Sequence, residues 1–166
     1  MKIGDKLETY YENNLDKPKD ISNVNFDLLA VASMNEYVLA STDKPILGTT
    51  ALASCTGIII YDKNGNYSLG HLSTNYKNVI EGMVNNIDKN SKIKVIIIPG
   101  FYTTPRKIYE IKEFLKLDYA EHDFEIEIKI LNEYINKEFT SIEFEFDTRT
   151  EEFIMPNYNE YFKKRG

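Results

Sequence analysis

The stretch "TGIIIYDKNGNYSLGHLS", residues 56–73, reads as a β-hairpin, and the rest of the chain is best placed around it. Isoleucine is stiff at χ1 and suits a pleated surface, so 56–62 is expected to be a buried strand. Asn64-Gly65 is a hairpin signal, because a primed turn needs positive φ at both central residues. "SLGHLS" is then the returning strand and carries His71. Two registers are open. With a two-residue Asn64-Gly65 turn, Lys63 pairs with Asn66 and His71 faces Ile58. If Tyr61 pairs with Tyr67 across a five-residue loop, His71 sits opposite Gly57. Side chains alternate along a strand, so only the second register puts Cys55 and His71 on one face.

Cys55 is the only cysteine, in "TTALASC" at 49–55. A lone thiol forms no internal disulfide, which fits a reducing compartment. Cysteine, histidine and a hydroxyl in this neighbourhood suggest nucleophilic chemistry. A free thiol holds little thiolate at neutral pH and an adjacent histidine supplies the missing base. Cys55 is the candidate nucleophile and His71 the candidate base, with Thr49 or Thr50 orienting the imidazole. Small residues at Ala51, Ala53 and Ser54 would let a substrate approach the backbone and leave amide N–H groups for an oxyanion. The competing reading is packing, since free cysteine is among the most buried residue types.

Upstream, "VNFDLLAVAS", "YVLAS" and "ILGTTALAS" are short apolar runs consistent with strands. Downstream, Val79, Ile80, Met83, Val84 and Ile87 recur at helical spacing, predicting a helix over about 75–89. "IKVIIIPG" at 93–100 reads as a strand buried on both faces. Thr104 and Pro105 form an N-cap and N1 pair for a second helix, with Ile108, Ile111, Phe114 and Leu115 on its apolar face. "FEIEIKIL" at 124–131 alternates apolar and charged residues, as does "SIEFEFDTRTEEFIM", with a turn near Asp147 to Thr150. The expected class is α/β or α+β, one domain of mixed, largely antiparallel sheets covered by helices. Residues 1–23 are expected to be a polar N-terminal extension, 24–156 the domain, and 157–166 a frayed tail.

The 166 residues carry 20 basic and 26 acidic side chains, a net charge of −6. That argues against nucleic acid as a default partner, because phosphates attract basic patches. No apolar stretch is long enough to span a bilayer, and the start lacks the apolar core of a signal peptide. The expected compartment is the cytoplasm, with export by a signal-less route as the alternative. Only His71 and His122 are present, with no Cys/His cluster at ligand spacing, so no metal or cofactor is expected. His122 in "AEHDFE" is expected to be a solvated loop residue. "IPGFYTTP" joins a strand to a helix N-terminus, a place that can hold an anion, although most such turns bind nothing. Tyr10, Tyr11, Tyr158 and Tyr161 could cover a surface or dock a partner.

"TTALASC" followed sixteen residues later by "GHL" resembles the core of the CheD chemoreceptor glutamine deamidase family. That family carries T-x-G-x-G-S-C, an apolar strand, a short turn and an A-H-x strand. Thr49 stands six residues before Cys55, as the family's threonine does, and Ser54 matches its serine. "NEY" at 35–37 resembles the family's G-E-Y, "KVIIIPG" its K-V-F-G-G strand, and the segment around Asp147 its F-D-x-x-T-G turn. The likeness spans about 24–156. More distantly, the arrangement is similar to the catalytic domain of cytotoxic necrotizing factor toxins. The family's glycines before the thiol stand here as Ala51 and Ala53.

The resemblance implies a CheD-like fold and cysteine-dependent hydrolysis of a glutamine carboxamide on a protein substrate, such as a chemoreceptor. Cys55, His71 and Thr49 would form the catalytic set, and Ser54 and Ala53 would border the oxyanion and substrate. The implied partners are that protein substrate and a regulatory protein. Two alternatives keep the fold: a catalytically silent binding regulator, and a toxin-like deamidase of a host regulatory protein.

Overall fold

A computed structural model of the chain describes residues 26–156. The expected N-terminal extension and C-terminal tail, and the four tyrosines named within them, lie outside the described residues. The strands are β1 (Leu29–Ala32), β2 (Tyr37–Leu39), β3 (Ile46–Leu52), β4 (Thr56–Tyr61) and β5 (Tyr67–Leu72). They continue with β6 (Ile93–Pro99), β7 (Phe124–Ile128), β8 (Ile135–Asn136), β9 (Ser141–Asp147) and β10 (Glu152–Ile154). Helix α1 (Tyr76–Val84) follows β5, and α2 (Pro105–Asp118) connects β6 to β7. One sheet runs β1-β3-β9-β10 with β8 also on β9, and the other runs β2-β5-β4-β6-β7. The β1/β3 and β6/β7 pairs are parallel and the rest antiparallel, so both sheets are mixed and the class is α+β.

β4 and β6 lie side by side at the middle of the second sheet, and their isoleucine runs face two ways. Ile58, Ile60, Val95 and Ile97 pack with Val79, Ile80 and Met83 of α1 and Ile108, Ile111 and Leu115 of α2. Ile59, Tyr61, Ile96 and Ile98 pack instead with Leu47, Ile142, Phe144 and Phe146 of the first sheet. Each fully buried isoleucine contributes about 1.5–3 kcal/mol, so a strand used on both faces anchors two cores at once. The layers are therefore helices, sheet, sheet. Among the described residues the helices cover one sheet only, where the sequence pattern suggests helices over both.

The hairpin takes the five-residue loop: Tyr61 pairs with Tyr67 and Gly57 with His71. Both faces of β4 are apolar, so alternation alone does not fix this register. Two local features do. Asp62 accepts hydrogen bonds from the amides of Asn64 (2.8 Å), Asn66 (3.1 Å) and Asp88 (2.7 Å), which opens the turn beyond its Asn-Gly pair. Gly70 lies opposite Ile58 under α1, where a Cβ would come within 2.7 Å of Met83 Sδ and 3.0 Å of Val79 Cγ1. A one-residue slip would bring a side chain into that space.

Helix α1 stops at Val84, five residues short of the pattern's limit. Asn85 and Asn86 form a tighter turn, and Ile87 stays buried in the same core without being helical. Helix α2 begins as expected, with the Thr104 hydroxyl accepting from the Lys107 amide and Pro105 at N1. β7 ends at Ile128, after which Ile130 and Leu131 pack into the two different cores.

Candidate active site

Thr49 sits near the end of β3 and faces the space between the sheets, completely buried. Its hydroxyl donates to the Ala32 carbonyl at 2.8 Å and lies 2.8 Å from His71 Nδ1. A carbonyl can only accept, and a hydroxyl has one proton. The ring nitrogen must therefore be the donor in the second bond, so His71 carries its proton on Nδ1. Nε2 is left as the basic nitrogen. It is buried and makes no hydrogen bond among the described residues, to the thiol included. Burial also lowers the imidazole pKa, so the ring is neutral and Nε2 is free to take a proton.

The His71 backbone is held from the turn after β1. Its N–H donates to Glu36 O at 3.0 Å, and its carbonyl accepts from Asn35 N at 2.9 Å. Asn35 has φ 61° and also accepts from the Asn75 amide through its side chain at 3.1 Å. The left-handed turn that "NEY" forms thus joins the base to the start of α1.

Cys55 lies one residue before β4 and is 6% exposed. With Gly57 opposite His71, the thiol is two residues further along the same face. It belongs to the core between the sheets, with Ala32, Leu52 and Ile98. β3 is bulged against β9 between Thr49 and Leu52, where Ala51 takes φ 59°, and residues 53–55 connect it to β4.

Residues 100–103 hold this segment from below. Phe101 N donates to Leu52 O at 3.0 Å, Tyr102 N to Ala53 O at 2.7 Å, and Gly100 N to Cys55 O at 3.1 Å. Thr103 Oγ1 donates to the same Cys55 carbonyl at 2.9 Å. Gly100 is required here, because a Cβ would stand 2.2 Å from Cys55 O and within 2.7 Å of two further carbonyls. These bonds account for the Leu52, Ala53 and Cys55 carbonyls of the segment. Its amides divide: Ala53 N donates to Ala51 O at 3.0 Å, while the Ser54 and Cys55 N–H groups have no acceptor among the described residues. Two unmatched donors beside a thiol can receive a developing negative charge. Of the residues expected to border an oxyanion, Ser54 offers its amide and Ala53 does not.

The structure thus brings Thr49, His71, Cys55 and Ser54 together. Spacing alone does not reveal Ala32, Gly100 and Thr103. The one signal for them is "IPG" at the position of a family glycine. In the "IPGFYTTP" loop the amides from Gly100 to Thr103 all bond to the protein and are not open to an anion. His122 also differs from expectation. Its side chain is 3% exposed, stacked on Phe124 at 5.5 Å and edge-on to Tyr119, so it is a packing residue. Its Nδ1 lies 3.2 Å from Glu121 Oε1, without the alignment of a hydrogen bond.

Two broader clefts, of about 370 Å³ beside Tyr61, Lys94 and Glu151 and about 480 Å³ beside Ser41, Tyr67 and Arg149, do not include the cysteine or the histidine. Among the described residues, no helix is long and apolar enough to cross a membrane. No protein-family model matches the chain, and no curated protein matches it.

Proposed function

We propose that the protein is a cysteine-dependent protein glutamine deamidase of CheD-like fold, acting in the cytoplasm on a glutamine carried by a protein substrate. The observation that carries this reading is the Thr49–His71 hydrogen bond. It fixes the proton on Nδ1 and leaves Nε2 free, on the face shared with the only thiol. The packing residue His122 also leaves its ring nitrogens without partners among the described residues, so the support lies in the orientation that Thr49 gives the His71 ring rather than in its free nitrogen alone. Backbone conformation gives a second support. At three positions where the CheD pattern has glycine, this chain has Asn35, Ala51 and Glu151, and all three take positive φ. The non-glycine residues keep a backbone that glycine would adopt without strain. Ala53, a further such position, has no positive φ.

In the proposed reaction Nε2 of His71 removes the Cys55 proton, and the thiolate attacks the glutamine Cδ. The carbonyl oxygen becomes an oxyanion held by the Ser54 and Cys55 amides. The imidazolium then protonates the departing nitrogen, ammonia leaves, and a thioester remains. Water, deprotonated by the same Nε2, attacks the thioester and releases glutamate with the thiol restored. Thr49 keeps the ring oriented through both halves, as the third member does in triads.

One observation favours a second reading. The Nε2 of His71 makes no hydrogen bond to the thiol, and Cys55 is nearly buried. A silent regulator that binds another protein through this face would have the same features. Incubation with candidate proteins of the source cell, read by mass spectrometry for glutamine-to-glutamate conversion, separates the two. Conversion by the native protein and its loss in Cys55→Ala are expected. No conversion of any candidate, or conversion that survives Cys55→Ala, contradicts the enzyme.

A further inference from the structure

We infer that Thr103 is a positioning residue for the reaction, and that it acts by aiming the backbone amides beside Cys55. This rests on the hydrolase reading above. The Thr103 hydroxyl donates its one proton to the Cys55 carbonyl at 2.9 Å and accepts from Gly100 N at 2.8 Å. The Thr56 hydroxyl, 3.3 Å away, must then be the donor to Thr103. One side chain from the β6–α2 loop thus ties the peptide that follows the nucleophile, and the Thr56 hydroxyl beside it, to the Gly100 amide.

The consequence comes from peptide geometry. In a trans peptide the C=O and N–H of one unit point in opposite directions, and no described bond is cis. The Ala53 carbonyl points at Tyr102 N, so the Ser54 N–H of that same unit points away from the 100–103 loop. The Cys55 carbonyl is held in the same way by Gly100 and Thr103. The Cys55 N–H therefore belongs to a peptide flanked by two fixed ones. Bonding at the Ala53 carbonyl also polarises that peptide and strengthens the Ser54 N–H at its other end. The loop aims two amides without placing any of its own atoms on the substrate.

This role separates two reactions of the same thiol. Alkylation by iodoacetamide forms a C–S bond, expels iodide and creates no oxyanion. Acylation by 4-nitrophenyl acetate passes through a tetrahedral oxyanion: the C–S bond forms, the ester C–O bond breaks, and 4-nitrophenolate leaves. In Thr103→Val the acylation rate is expected to fall about tenfold or more, in line with loss of an aligned oxyanion donor. The alkylation rate should stay within about twofold, and Thr103→Ser should restore acylation. If both rates fall together, or if acylation is unchanged, the proposed role of Thr103 is wrong and the hydrolase reading stands. If the native protein shows no Cys55-dependent acylation, both fail.

Discussion

The imidazole of His71 has one donor and one acceptor, and a partner exists for only the donor. Its lowered pKa has a definite sign for stability. The unfolded chain protonates this histidine near its ordinary value while the folded chain resists, so stability falls as pH drops below about 6.5. Glu145 works in the opposite sense. It is fully buried on the face of β9 turned away from the sheet-to-sheet core, opposite Gly48, and neither carboxylate oxygen has a partner among the described residues. Burial raises its pKa from 4.5 to about 7. Between those values the folded state holds a proton that the unfolded state has lost, so stability declines as pH rises through the window, by about 1.4 kcal/mol per unit. Glu145→Gln removes the titration. Urea unfolding at pH 5 and pH 8 should show the variant gaining about 2–3 kcal/mol on the native protein between the two. An unchanged difference would show that Glu145 ionises normally in the fold.

At the scale of elements, the bulge in β3 carries a backbone strain that can be relieved. Ala51 is exposed and left-handed, a conformation that costs a non-glycine residue about 1–2 kcal/mol. Ala51→Gly removes that cost and gives back about 0.4–1 kcal/mol in unfolded-chain entropy. A net stabilisation of about 0.5–1 kcal/mol is expected by urea denaturation, and a destabilisation would mean that the methyl group is needed where it stands. The strands were legible because their alternation and isoleucine runs match what the two cores bury. The end of α1 was not, because Ile87 is buried through a turn that keeps helical spacing without being helix. Nor does the local pattern choose the hairpin register. Asn64-Gly65 favours a tight turn, and it is overruled by the bonds that Asp62 makes, one of them to Asp88 on a different segment.

Across the whole molecule, the candidate site is built where the two sheets meet. Thr49 and Ala32 come from the first sheet, His71 from the second, and Cys55 from the short connection that crosses between them. The threonine, histidine and cysteine were legible because they lie close in sequence around one hairpin. Residues 100–103 were not, because their role depends on β6 running antiparallel beside β4, which brings Gly100 under Cys55. Ala32 was equally hidden, since it reaches Thr49 only through the parallel β1/β3 pairing. The central claim is that this assembly makes Cys55 a nucleophile served by His71. It is tested most directly by the rate of Cys55 alkylation with iodoacetamide at pH 7 in the native protein and in folded His71→Ala. A fall of about tenfold or more is expected, as when a general base is removed; rates equal within about twofold would mean that His71 does not serve the thiol.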